Sequence, residues 1–154
     1  MVTRYATLTL VLMAAGCAPL PAPKPAPASA VEAAVSIPDL AAPPPSASAR
    51  TVEQFDTTTE AQRVAAAAGG ASGGARLGSA VAVLGDPTRA GFWLETGLVE
   101  DRVPGRVVSK ATGKAAEVEL IPAGDGNARL SLAAMRLLGV ALTDLAEVDI
   151  YGTE

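Results

Sequence analysis

Few side chains in this 154-residue chain could do chemistry. There is no histidine, which removes the commonest general base and the commonest metal ligand. The one cysteine, Cys17, has no partner for an intrachain disulfide or a thiolate metal site. What remains is that thiol and a scatter of carboxylates, among them Glu95, Glu100, Asp101, Glu117, Glu119 and Asp125. Glu117 and Glu119 alternate with Val118 and Leu120, which puts both on one outward strand face in water. Asp125 stands in Gly124-Asp125-Gly126-Asn127, a turn sequence. No metal site and no cofactor is expected from this set.

The surroundings of Cys17 explain the thiol without making it a nucleophile. Arg4 and the terminal amine precede an apolar run of eleven residues, Tyr5 to Ala15, and small residues follow it. A charged start, a short apolar stretch and a small-residue cleavage site make a secretory signal. The run is too short to span a bilayer, which takes about 20 apolar residues. Ala14-Ala15-Gly16-Cys17 resembles the lipobox of bacterial lipoproteins, with Ala14 where that family prefers leucine. The resemblance implies cleavage after Gly16, acylation of Cys17 and a membrane anchor. Ala18 after the cysteine implies sorting to the outer membrane, facing the periplasm. Two or three acyl chains, at about 0.8 kcal/mol per buried methylene, hold far longer than one.

Between Ala18 and Arg50 lie nine of the twelve prolines, set in alanine and serine. So few large apolar groups and so many missing backbone donors cannot offset the entropy of ordering. Residues 17–50 are therefore expected to form the lipidated cysteine and a disordered tether, which at about 3.1 Å per residue reaches on the order of 100 Å. Ser36-Ile37-Pro38-Asp39-Leu40 is its one slightly apolar interruption.

Residues 51–74 read as a short helix and a joint. Thr57 with Glu60 makes a capping-box pattern ahead of an alanine run, which predicts a helix over 58–68. The glycines from Gly69 to Gly74 end it. Residues 75–154 then read mainly as strands. Leu77 to Leu84 runs into the turn signal Gly85-Asp86-Pro87, and Phe92-Trp93-Leu94 is the next apolar stretch. Arg106 to Ser109 and Glu117 to Ile121 form strands joined by a hairpin. Ser131 caps a helix that stops at Gly139, and Ala146 to Tyr151 alternates as a last strand. The composition is 49% apolar but only 3% aromatic, so the core must be built from Val, Leu, Ile and Ala. A small closed β-barrel, mainly β with one or two short helices, suits so small a sheet because closure removes unpaired edges. A weak internal echo about forty residues apart, Val81, Val83 and Leu84 against Val118, Leu120 and Ile121, points to two-fold construction. Net charge is −4, which gives no electrostatic reason to expect nucleic acid.

Pro104-Gly105 through Ile121, then Ala128 through Gly139, then Ala146 to Ile150 resemble the second half of the double-psi β-barrel of rare lipoprotein A. That resemblance covers about a third of the chain and implies a lipid-anchored envelope protein that acts on peptidoglycan. The family's catalytic aspartate, in Asn-Asp-Arg-Gly-Pro, is replaced here by Pro122. Glycosidic cleavage uses a carboxyl group that protonates the leaving oxygen, usually with a second opposite, and Asp125 with Glu95 is the pair that could serve. Both also read as ordinary surface groups. The chain is similar, too, to short bacterial lipoproteins labelled D-galactarate dehydratase, a name that implies metal-assisted elimination. The residues offer no metal cradle for that reaction. The expected function is a noncatalytic barrel that binds peptidoglycan or an envelope protein, with a divergent lytic transglycosylase as the alternative. Phe92 and Trp93 are the candidate binding residues, since an aromatic ring can stack on a sugar face. They read first as the scarce large residues of the core.

Overall fold

The computed structural model describes residues 40–69, 74–124 and 127–152, all within one compact unit. The signal segment, Cys17, the tether before Leu40 and Asp125 lie outside the described residues.

Six strands, β1 (Ala75–Leu84), β2 (Trp93–Thr96), β3 (Val103–Ser109), β4 (Ala115–Pro122), β5 (Ala128–Leu130) and β6 (Ala146–Gly152), close into a barrel. The order around it is β1-β5-β2-β4-β3-β6, with β6 returning antiparallel to β1. The alternation seen in the sequence turns one side of each strand inward. Val107, Val118, Leu120, Leu130, Val148 and Ile150 are completely buried, each contributing roughly 1.5–3 kcal/mol relative to exposure. The barrel is narrow enough that Gly105 cannot be replaced. A Cβ there would run into the Leu120 side chain and the Tyr151 carbonyl.

The small mainly-β barrel expected from the sequence is the fold observed, and its strand order is two-fold. Exchanging β1 with β4, β2 with β5 and β3 with β6 leaves the order unchanged. It also maps the parallel pair β1·β5 onto the parallel pair β4·β2. These two interlocking parallel crossings give the barrel its double-psi-like character. The sequence echo catches this relation one residue out of register. It sets Val81, 46% exposed, against fully buried Val118. The sheet instead equates Ala82 with Val118 and Leu84 with Leu120, which keeps inward positions inward. Leu94 and Leu130, directly paired, lie at the symmetry centre.

Helix α3 (Leu132–Leu138) closes the end of the barrel where β1, β3 and β5 finish. Ser131 caps it, accepting from the Ala134 N–H at 3.2 Å, and the same hydroxyl accepts from the Trp93 N–H at 3.2 Å. Gly139 takes the left-handed conformation, φ 70°, that ends the helix. Leu132, Ala133, Ala134, Met135 and Leu138 are buried beneath it.

Two features differ from expectation. The capping box of α2 (Glu60–Ala68) is Thr59 with Gln62, two residues later than the Thr57 pattern. Thr57 is otherwise engaged, its hydroxyl donating to the Pro43 carbonyl at 2.5 Å. A shorter helix, α1 (Val52–Phe55), precedes it. Residues 40–50, placed by composition in the disordered tether, are instead held against the barrel. The Phe92 N–H donates to the Leu40 carbonyl at 2.9 Å, Gln62 Nε2 donates to the Ala41 carbonyl at 2.7 Å, and Ala49 is buried. Composition misjudged this stretch because Leu40 packs against the core, and that apolar contact comes from distant sequence. Asp56 completes the dock. Its carboxylate, 3% exposed, meets Arg136 of α3 at 2.8 Å and accepts from the Thr58 hydroxyl at 2.5 Å.

Candidate functional site

On the outer face of the barrel, Pro104 of β3, Glu119 of β4 and Trp93 of β2 sit side by side in register. They floor a groove of about 650 Å³. Its walls come from both sides of that row. Leu40 and Ala41 of the docked N-terminal segment, with Arg89 and Ala90 from the β1–β2 loop, form one side, and Arg102 with Val103 forms the other. Gly91 makes the first wall possible. It holds φ +90°, and a Cβ there would collide with the Leu40 carbonyl oxygen.

The charged groups of the groove are fixed by short contacts. Arg89 Nη1 donates to Glu95 Oε1 at 2.9 Å, and its guanidinium lies over the Trp93 ring, 4.7 Å from the centroid. The Trp93 indole N–H in turn donates to the Arg89 carbonyl at 3.0 Å. Arg102 Nη1 donates to Glu119 Oε2 at 3.0 Å. The loop that carries Arg89 is set by Asp86, which accepts from both the backbone N–H and the hydroxyl of Thr88. Those two bonds hold the Asp86 carboxyl below its ordinary range.

This geometry corrects the role given to Phe92 and Trp93. They are 1% and 3% exposed, and the Trp93 ring is covered by Arg89 and backed against Gly85, where a Cβ would strike it. Neither ring offers an open face for a sugar. They build the groove from beneath, and Arg89, Arg102 and Glu119 are its charged lining residues. Sequence reasoning passed over both arginines, because the chain separates them from Glu119 and only the strand register brings the three together.

Glu95 lies two residues along β2 from Trp93, on the same face. Its Oε1 is bonded to Arg89 and its Oε2 lies 3.7 Å from Arg129. Its nearest charged neighbours are therefore guanidinium groups on both oxygens. Asp125, the proposed second carboxylate, lies outside the described residues. Among the described residues no group of three or more His, Cys, Asp or Glu side chains could hold a metal ion.

The neighbouring glutamates of β4 are both half-buried and differ in what lies beside them. Glu119 pairs with Arg102. Glu117, expected in water, is half-buried, and the end of α2 lies on it so closely that a Cβ at Gly69 would strike its carboxylate. Burial pushes the Glu117 carboxyl above its ordinary value. On the far side of the barrel Asp149 goes the other way. The Ser79 hydroxyl at 2.5 Å and Arg76 at 2.7 Å hold its carboxyl low.

A second cleft, about 610 Å³, opens at the end of the barrel opposite α3. Its described lining is uncharged and includes Ser79, Thr96, Leu98 and Asn127. Comparison of the chain with family models, with curated proteins and with solved structures returns no match.

Proposed function

We propose that this chain is an exported lipoprotein, anchored through Cys17, whose barrel binds peptidoglycan or an envelope protein in the groove between Arg89 and Arg102 without cleaving it. The reading joins the lipobox-like Ala14-Ala15-Gly16-Cys17 to a concave, mostly apolar site with a few convergent polar groups, the usual form of a binding pocket. One observation carries the noncatalytic half. The carboxylate best placed for acid catalysis, Glu95, has each oxygen facing an arginine at 2.9 and 3.7 Å. A general acid must offer its proton to a leaving oxygen within about 2.6–3.2 Å, whereas Oε1 already accepts from Arg89 and Oε2 faces the Arg129 charge, an environment that favours the carboxylate over the acid.

Two measurements test it. Radiolabelled palmitate incorporated by cells expressing the full chain should be lost in Cys17→Ser. Purified mature protein should co-sediment with sacculi and release no soluble muropeptides. Release that disappears in Glu95→Gln or Asp125→Asn would make the protein a lytic transglycosylase. Absence of both retention and release would remove peptidoglycan from the proposal.

A further inference from the structure

Resting on the peptidoglycan reading, we infer that the groove recognises the short, carboxylate-bearing peptide of peptidoglycan and not its glycan strand. Three features of the groove argue for this occupant. The ring that a sugar would use is closed, since the Arg89 guanidinium occupies the face of Trp93 at 4.7 Å and leaves the indole 3% exposed. Sugar recognition through stacking is therefore blocked at the one tryptophan of the chain.

The charges complement a peptide instead. Arg89 and Arg102 stand on opposite walls, and each guanidinium carries five donors in a planar fork suited to carboxylates. Arg89 spends one of its nitrogens on Glu95. Arg102 is 56% exposed and bonds Glu119 Oε2 through Nη1 at 3.0 Å, a solvated ion pair that exchanges partners at little cost. Glu119, between them on the floor, supplies the opposite charge for an amine. A ligand with two carboxylates and an amine on a short backbone matches all three groups, whereas the glycan, with its hydroxyls and the single lactyl carboxylate that an amidase leaves on each muramic acid, lacks the amine and the paired carboxylates.

The apolar part of the wall agrees. Ala41, Ala90 and Val103 line the groove with small apolar side chains beside the charges, which suit small side chains of the alanine kind. The second cleft has the opposite character, with no charged residue in its described lining, so the two sites predict different ligands from one polymer.

The test uses the full mature protein with three probes: intact sacculi, glycan strands stripped of peptide by an amidase, and the soluble peptides that the amidase releases. Intact sacculi should retain the protein, stripped glycan should not, and the released peptides should compete with sacculi. Arg102→Ala, at an exposed position, should keep the thermal unfolding profile and weaken peptide binding about tenfold, the value of one charge-assisted hydrogen bond. Asn127→Ala in the other cleft should leave it unchanged. Equal retention on stripped glycan, or peptide binding indifferent to Arg102→Ala in folded protein, would overturn the inference while leaving peptidoglycan binding intact. Retention on none of the probes would overturn both.

Discussion

The two ends of the barrel are equivalent in strand order and opposite in construction. At one end the chain passes from β5 to β6 through α3, which buries five side chains against the strands. At the other, the symmetry-related passage from β2 to β3 is the short loop 97–102, where Leu98 is 42% exposed and lines an open cleft. Two-fold topology sets where strands go and leaves the crossovers free. One crossover has been used to seal the barrel and the other to leave it open. The side of the barrel repeats the lesson, since the half-sealed groove beside Trp93 exists only because residues 40–42 are brought alongside Gly91.

The largest effect should come from the sealed end. Met135→Ala removes a completely buried side chain of α3 and should cost about 2–5 kcal/mol in urea unfolding, the range for such truncations. The matched change at the open end, Leu98→Ala, should stay within about 0.5 kcal/mol, as for ordinary surface positions. Equal costs at the two sites would erase the distinction between the ends.

A smaller loss should follow from Arg136→Ala. It leaves Oδ2 of the Asp56 carboxylate, 3% exposed, without its cation while Oδ1 keeps its two bonds from Thr58, and losing the partner of one buried acceptor costs about 1–3 kcal/mol. Hydrogen exchange should then rise first in residues 40–69, because that ion pair joins the N-terminal segment to α3. Exchange that rises uniformly would show the segment to be part of the barrel's own cooperative unit.

The smallest effect distinguishes Glu117 from Glu119. The folded-state carboxyl of Glu117 is raised by burial, so the native protein binds more proton than the unfolded chain between the two titrations. Stability contributed by the protonated form is therefore present at pH below the ordinary glutamate range and lost as pH rises through the raised value. Glu117→Gln should raise the melting temperature at pH 7 and have little effect near pH 4. Glu119→Gln removes only the solvated ion pair with Arg102 and should change the melting temperature little. A Glu117→Gln variant less stable at neutral pH would mean that the charge, and not its burial, is what the site needs.

Much of the fold was legible in the residues, and the reasons are local. Ser131 and Gly139 bracket α3 by satisfying the helix ends, and the period-two pattern of β3, β4 and β6 follows from one face of each strand being buried. β5, only Ala128–Leu130, is too short to announce itself by alternation. The echo between halves was visible but misaligned, because side-chain type alone does not distinguish Val81 from Ala82 until the pairing turns one outward. The site was less legible. Phe92 and Trp93 could be picked out as rare aromatics, yet their burial depends on Arg89 and Gly85, and the groove depends on Arg102 and Glu119 becoming neighbours across β3 and β4.

By itself the sequence determined the longer strands, the helix between Ser131 and Gly139, the barrel class and the absence of histidine chemistry, since these depend on periodicity, caps and composition, all readable within a few residues. The tertiary structure alone decided that Glu95 faces two arginines, that Glu117 lies against the end of α2 while Glu119 pairs with Arg102, and that residues 40–50 dock. Each of those outcomes is a contact between segments far apart in the chain, where burial and charge are set by the partner that folding supplies.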